Sequence, residues 1–69
     1  MDVEQAARLL SGRVDAPRGA VSIAAWYEQA SPEIMVWYDP QYVRVVSGLP
    51  STFEGYRVVV KARPRFFAA

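Results

Sequence analysis

The chain has no cysteine and no histidine. The first absence removes disulfides. Together the two remove the ligands on which zinc sites depend. They also take away the thiol nucleophile and the side chain that ordinarily serves as general base near neutral pH. Ser11, Ser22, Ser31, Ser47 and Ser51 therefore have no imidazole to activate them, and lysine occurs once, at Lys61. The glycines stand apart at 12, 19, 48 and 55, so there is no glycine-rich phosphate loop. Glu28, Glu33 and Asp39 fall at the ends of predicted strands, where carboxylates normally serve solubility. The expectation is a non-catalytic chain with no cofactor, no metal and no small-molecule substrate.

Long apolar runs are also missing. Nothing approaches the roughly 20 residues that span a bilayer. The opening residues, Met1 to Gln5, lack a charged-then-apolar leader. A cytoplasmic chain, or a virion component, is expected, with no membrane partner.

What is present suits one small domain over residues 1–69. The apolar fraction of 52% is enough for a folded core. A chain this short buries only about 60% of its unfolded surface. Without staples, such domains often gain stability by assembling with another chain. Charge is uneven. Residues 1–39 carry three arginines against six acids, a net of −3, and residues 40–69 carry five cations against Glu54, a net of +4. Such asymmetry suits mutual attraction of the halves, head-to-tail packing of copies, or an anionic partner.

The dominant stretch is a predicted hairpin over 21–39, VSIAAWY, a turn at EQASP, then EIMVWYD. Both arms alternate with period two, the pattern of half-buried strands. Val21, Ile23, Ala25 and Tyr27 share a face with Ile34, Val36 and Tyr38. Trp26, Met35 and Trp37 fall on the other. Pairing the apolar sets predicts Tyr27 opposite Ile34, Ala25 opposite Val36, Ile23 opposite Tyr38 and Trp26 opposite Met35.

Around it, residues 2–11 read as a helix capped by Asp2 with Gln5, carrying a stripe of Val3, Ala6, Ala7 and Leu10 and closed by Gly12 just beyond its end. Pro17 and Gly19 punctuate a connector over 13–20. Asp39, Pro40, Gly48 and Pro50 are helix punctuation and predict a short helix with Tyr42, Val43, Val46 and Leu49 inward. The β-branched run Tyr42 to Val46 also fits a strand. Residues 51–55 read as a loop. Residues 56–63 read as a strand with Tyr56, Val58, Val60 and Ala62 on the core side and Arg57, Val59, Lys61 and Arg63 opposite. Residues 64–69 form a short basic and aromatic tail. Its apolar Ala68-Ala69 ending is similar to tags read by bacterial degradation machinery.

The expected fold is a small two-layer α+β domain, α-β-β-(α)-β, with a three-stranded, mostly antiparallel sheet and one or two helices on one face. That leaves the other sheet face uncovered. Contiguous aromatic area of this kind marks a contact surface. The function expected is a protein-interaction or assembly module: a structural, adaptor or inhibitor subunit of bacterial or viral type. A homo-oligomer is expected, with Trp26, Met35, Trp37, Val59, Phe66 and Phe67 at the interface. The alternative is single-stranded nucleic-acid binding, with Trp26 and Trp37 stacking on bases and Arg57, Lys61, Arg63 and Arg65 holding phosphates.

Overall fold

The computed structural model describes residues 1–28 and 30–64. Helix α1 spans Val3–Gly12. Its start is fixed by a reciprocal cap. The Gln5 N–H donates to Asp2 Oδ1 at 2.8 Å, and the Asp2 N–H donates to Gln5 Oε1 at 3.1 Å. Val3, Ala6, Ala7 and Leu10 are buried as one stripe. Gly12 is the last helical residue and not the stop beyond it. Arg13 takes the cap position in the right-handed region, with its N–H donating to Leu10.

The chain then turns at Pro17–Ala20. The Ala20 N–H donates to the Pro17 carbonyl at 3.0 Å, and Gly19 has φ +86°. A type II turn requires positive φ at that third position, which glycine supplies without a steric penalty. Strands β1, Val21–Trp26, and β2, Glu33–Tyr38, follow as an antiparallel hairpin.

The faces of the hairpin are as expected, but its register is shifted by two residues. Val21 lies opposite Tyr38, Ile23 opposite Val36, Ala25 opposite Ile34 and Trp26 opposite Glu33. Both registers keep the apolar sets on one face, so alternation alone does not separate them. The observed one gives Val21 a partner and leaves Pro40, which has no N–H, outside the ladder. The Asp39 N–H still extends the pairing, donating to Ala20 at 2.9 Å. Tyr27 consequently leaves the strand. It is exposed, and its hydroxyl donates to Glu4 Oε2 on α1 at 2.9 Å.

After β2 the side chain of Asp39 accepts from the Gln41 N–H at 3.1 Å. A 3-10 turn over Pro40–Tyr42 leads into α2, Val43–Val46. One α-helical turn presents little inward. Val46 is buried and Tyr42 and Leu49 are half-buried, whereas Val43, expected inside, is 48% exposed.

The segment expected to be a loop contains a strand. Strand β3, Thr52–Phe53, forms a tight hairpin with β4, Tyr56–Ala62. Glu54 has φ 53° and Gly55 φ 84°. Two positive φ values in a two-residue loop are the signature of a type I′ turn, whose twist matches the flanking strands. The sheet therefore has four strands, not three, in the order β1-β2-β4-β3. It is mixed: β2 and β4 run parallel, while the other two pairings are antiparallel, as expected for most of the sheet. Parallel neighbours need a crossover, and the segment from Pro40 through α2 provides it.

Both helices contribute to one core on one side of the sheet, with Leu10, Ile34 and Val36 fully buried in it. Removing a side chain such as Leu10 to alanine costs about 2–5 kcal/mol, a large share of the roughly 5–15 kcal/mol that holds a typical domain. Two edge contacts extend the core: Arg13 stacks over the Phe53 ring at 5.0 Å, and the Tyr56 hydroxyl donates to the Met1 carbonyl at 2.8 Å. Helix cover is uneven, with α1 lying over β1 and β2. On β4, Val58 is buried, but Val60 (39% exposed) and Ala62 emerge beyond the cover, although alternation placed them on the core side.

Candidate protein-contact face

The side of the sheet away from the helices is built in rows across three strands. Ala24, Met35 and Val59 form the middle row, and Ser22, Trp37 and Lys61 form the row beside it. Trp26 lies opposite Glu33 on the far side of the middle row. Trp26 and Trp37 are thus four strand positions apart, about 13 Å of backbone at 3.3 Å per residue. Their rings nevertheless meet edge to face, with centroids 5.2 Å apart and planes at 73°. Each indole leans toward the middle row. Met35, from the same row, is only 6% exposed, while both indoles are half-buried. Edge-to-face is a favoured aromatic arrangement, worth about 0.5–1.5 kcal/mol beyond burial.

The sequence placed Trp26, Met35, Trp37 and Val59 on one face, and the structure brings all four together around one shallow depression of about 510 Å³. Glu28, Glu33, Arg57 and Lys61 complete its rim. Met35 differs from expectation in depth, because the indoles cover it. Phe66 and Phe67 lie outside the described residues, as does Arg65.

The cations near this face are engaged to different degrees. Arg63 reaches back across the sheet. Its guanidinium donates to the Gly19 carbonyl at 2.6 Å and to the Ser22 hydroxyl. Its backbone N–H donates to Tyr38 at 2.8 Å. One residue thus fastens the end of β4 to the end of β2 and to the start of β1. Arg57 lies 3.7 Å from Glu33, with most of its own side chain exposed. Lys61 has no ion pair among the described residues.

Sequence reasoning did not find the Arg63 latch or the Glu33–Arg57 pair. Each joins positions far apart in the chain, and only the β2–β4 register and the Gly19 turn bring them together. On the edge of the domain, Tyr27 is held above the ordinary tyrosine pKa, chiefly because its hydroxyl donates to the Glu4 carboxylate, with further contributions from desolvation and the Glu4 charge.

Among the described residues no group of three or more acidic, histidine or cysteine side chains is placed to hold a metal, and no helix is long and apolar enough to cross a membrane. Comparison with protein-family models, with curated proteins and with solved structures finds no match for the chain.

Proposed function

We propose that the chain is a non-catalytic assembly module that binds protein through its open sheet face, with a second copy of itself as the first partner. One observation carries the reading: both tryptophans meet over Met35 on the face that neither helix covers. Trp, Tyr and Arg dominate interface hot spots, and aromatics and Met are enriched in interface cores. The small size of the chain and its lack of disulfide or zinc ligands favour stabilisation by association. Burying the indoles would complete the half-finished cluster around Met35.

The nucleic-acid reading has less support on this face. Arg63 is tied to Gly19 and Ser22, and Arg57 faces Glu33. The indoles pack against each other and do not stand apart as stacking platforms for successive bases.

The test is solution mass by light scattering over a wide concentration range. The wild-type chain is expected to rise above the 7.7 kDa of one copy. Trp26→Ala and Trp37→Ala, with fold checked by circular dichroism, should return it to a single chain. A single-chain mass for the wild type at every concentration overturns self-assembly.

A further inference from the structure

We propose that the free edge of β4 docks an extended acidic segment of another protein, added as a strand alongside Val60 and Ala62. Edge docking rests on the assembly reading only in the premise that the chain binds protein. It uses the edge of the sheet and not its aromatic face.

The edge exists because β3 is too short. It pairs only with Tyr56 and Arg57, while β4 continues to Ala62. The direction of each backbone group follows from two bonds. The Arg63 N–H donates to Tyr38 on β2, and the Val58 N–H donates away from β2, to Ser51, at 2.8 Å. In a parallel pair, alternate residues turn both their groups to the partner strand. Val59, Lys61 and Arg63 therefore face β2, and Val58, Val60 and Ala62 face outward. Ser51 takes the donor of Val58. Just before it the chain has already turned away, since the Leu49 N–H bonds back to Val46 and Pro50 has no donor. The outward N–H and C=O groups of Val60 and Ala62 have no backbone partner among the described residues.

Charge selects the occupant. On its open-face side the free stretch of β4 presents Lys61, and the strand carries no acid; Arg63 turns away to Gly19 and Ser22, and Arg57 lies between β3 and Glu33. A second copy's β4 laid antiparallel on this edge would bring like charges within diagonal reach, which is unfavourable. An acidic strand reverses the sign. Its carboxylates would lie on the open-face side beside Lys61, and its alternate apolar residues would cover Val60, which the helices leave 39% exposed. The pattern recognised is an extended segment alternating acidic and apolar residues.

Two capped peptides test this, one alternating valine with glutamate and one alternating valine with lysine. Each is titrated into the labelled protein and followed by amide NMR. The glutamate peptide is expected to shift the Val60 and Ala62 amides and slow their exchange, with the lysine peptide at least about tenfold weaker. Val60→Pro removes an outward donor without touching the ladder to β2, so it should abolish peptide binding. Lys61→Glu should bring the two peptides' affinities together or invert them, which keeps the test decisive if Val60→Pro does not fold. The Trp37→Ala variant should still bind the glutamate peptide, which separates the edge from the aromatic face. No response at Val60 and Ala62, equal response to both peptides in the wild type, or unchanged binding in a folded Val60→Pro variant overturns the proposal.

Discussion

The β3–β4 turn makes the sharpest energetic prediction. Glu54 sits at φ 53°, in the left-handed region, where its Cβ crowds the following carbonyl at a cost of about 1–2 kcal/mol. Its side chain is exposed and makes no hydrogen bond or ion pair among the described residues. Replacing it therefore removes strain without removing a contact. Asparagine tolerates this conformation, and Asn-Gly is the favoured type I′ pair. Glu54→Asn should stabilise the domain by about 0.5–1 kcal/mol. For a domain of this size that is a rise in Tm of about 2–8 °C. Gly55→Ala is the complementary change. A Cβ added at Gly55 would meet nothing within 4 Å, so the whole cost is backbone. At φ 84° that cost is about 1–2 kcal/mol. The assay is thermal unfolding by circular dichroism, repeated with denaturant so that the slope checks for a changed unfolded state. A Tm for Glu54→Asn at or below wild type, together with a neutral Gly55→Ala, would refute the type I′ assignment.

Other predictions follow from the contacts. Arg63→Met keeps the aliphatic stem but loses the bonds to Gly19 and Ser22; at a solvent-reached site it should cost about 1–2 kcal/mol, and the start of β1 should exchange its amides faster, whereas an unchanged exchange pattern would mean that the latch holds nothing. Tyr27 should titrate above the usual value of about 10; because the folded pKa is raised, its stabilising bond is complete below that pH and is lost as pH rises through the folded value, and Glu4→Gln should lower the pKa measured by NMR. A single-stranded oligonucleotide at low ionic strength should leave tryptophan fluorescence unchanged; quenching that disappears with salt would transfer the face to nucleic acid.

The parts of the fold that could be read from the sequence are those set by neighbours a few positions apart. Asp2 and Gln5 are three residues apart, and Val3, Ala6, Ala7 and Leu10 recur at helical spacing, so α1 and its buried stripe could be seen directly. The alternation in β1, β2 and β4 put Trp26, Met35, Trp37 and Val59 on one face for the same reason. The hairpin register was not legible, because a slip of two residues preserves every face. Val21 and Pro40, at the far ends of the hairpin, decide it. Strand β3 escaped because two residues carry no periodicity and Glu54 is an uncommon residue at its turn position. The exposure of Val43 and Val60 depended on how far the helices reach, which no local pattern records. At the candidate site, the depth of Met35 depended on how two indoles from the rows on either side lean toward each other.

Trp26 and Trp37 are the only tryptophans in the chain and lie together on the face in question. Indole fluorescence is therefore a private reporter of that face. The decisive measurement is acrylamide quenching of this emission as protein concentration rises. If the open face is the assembly surface, accessibility to quencher should fall with concentration, in step with the rise in solution mass. Accessibility that stays the same from dilute to concentrated protein would contradict the account.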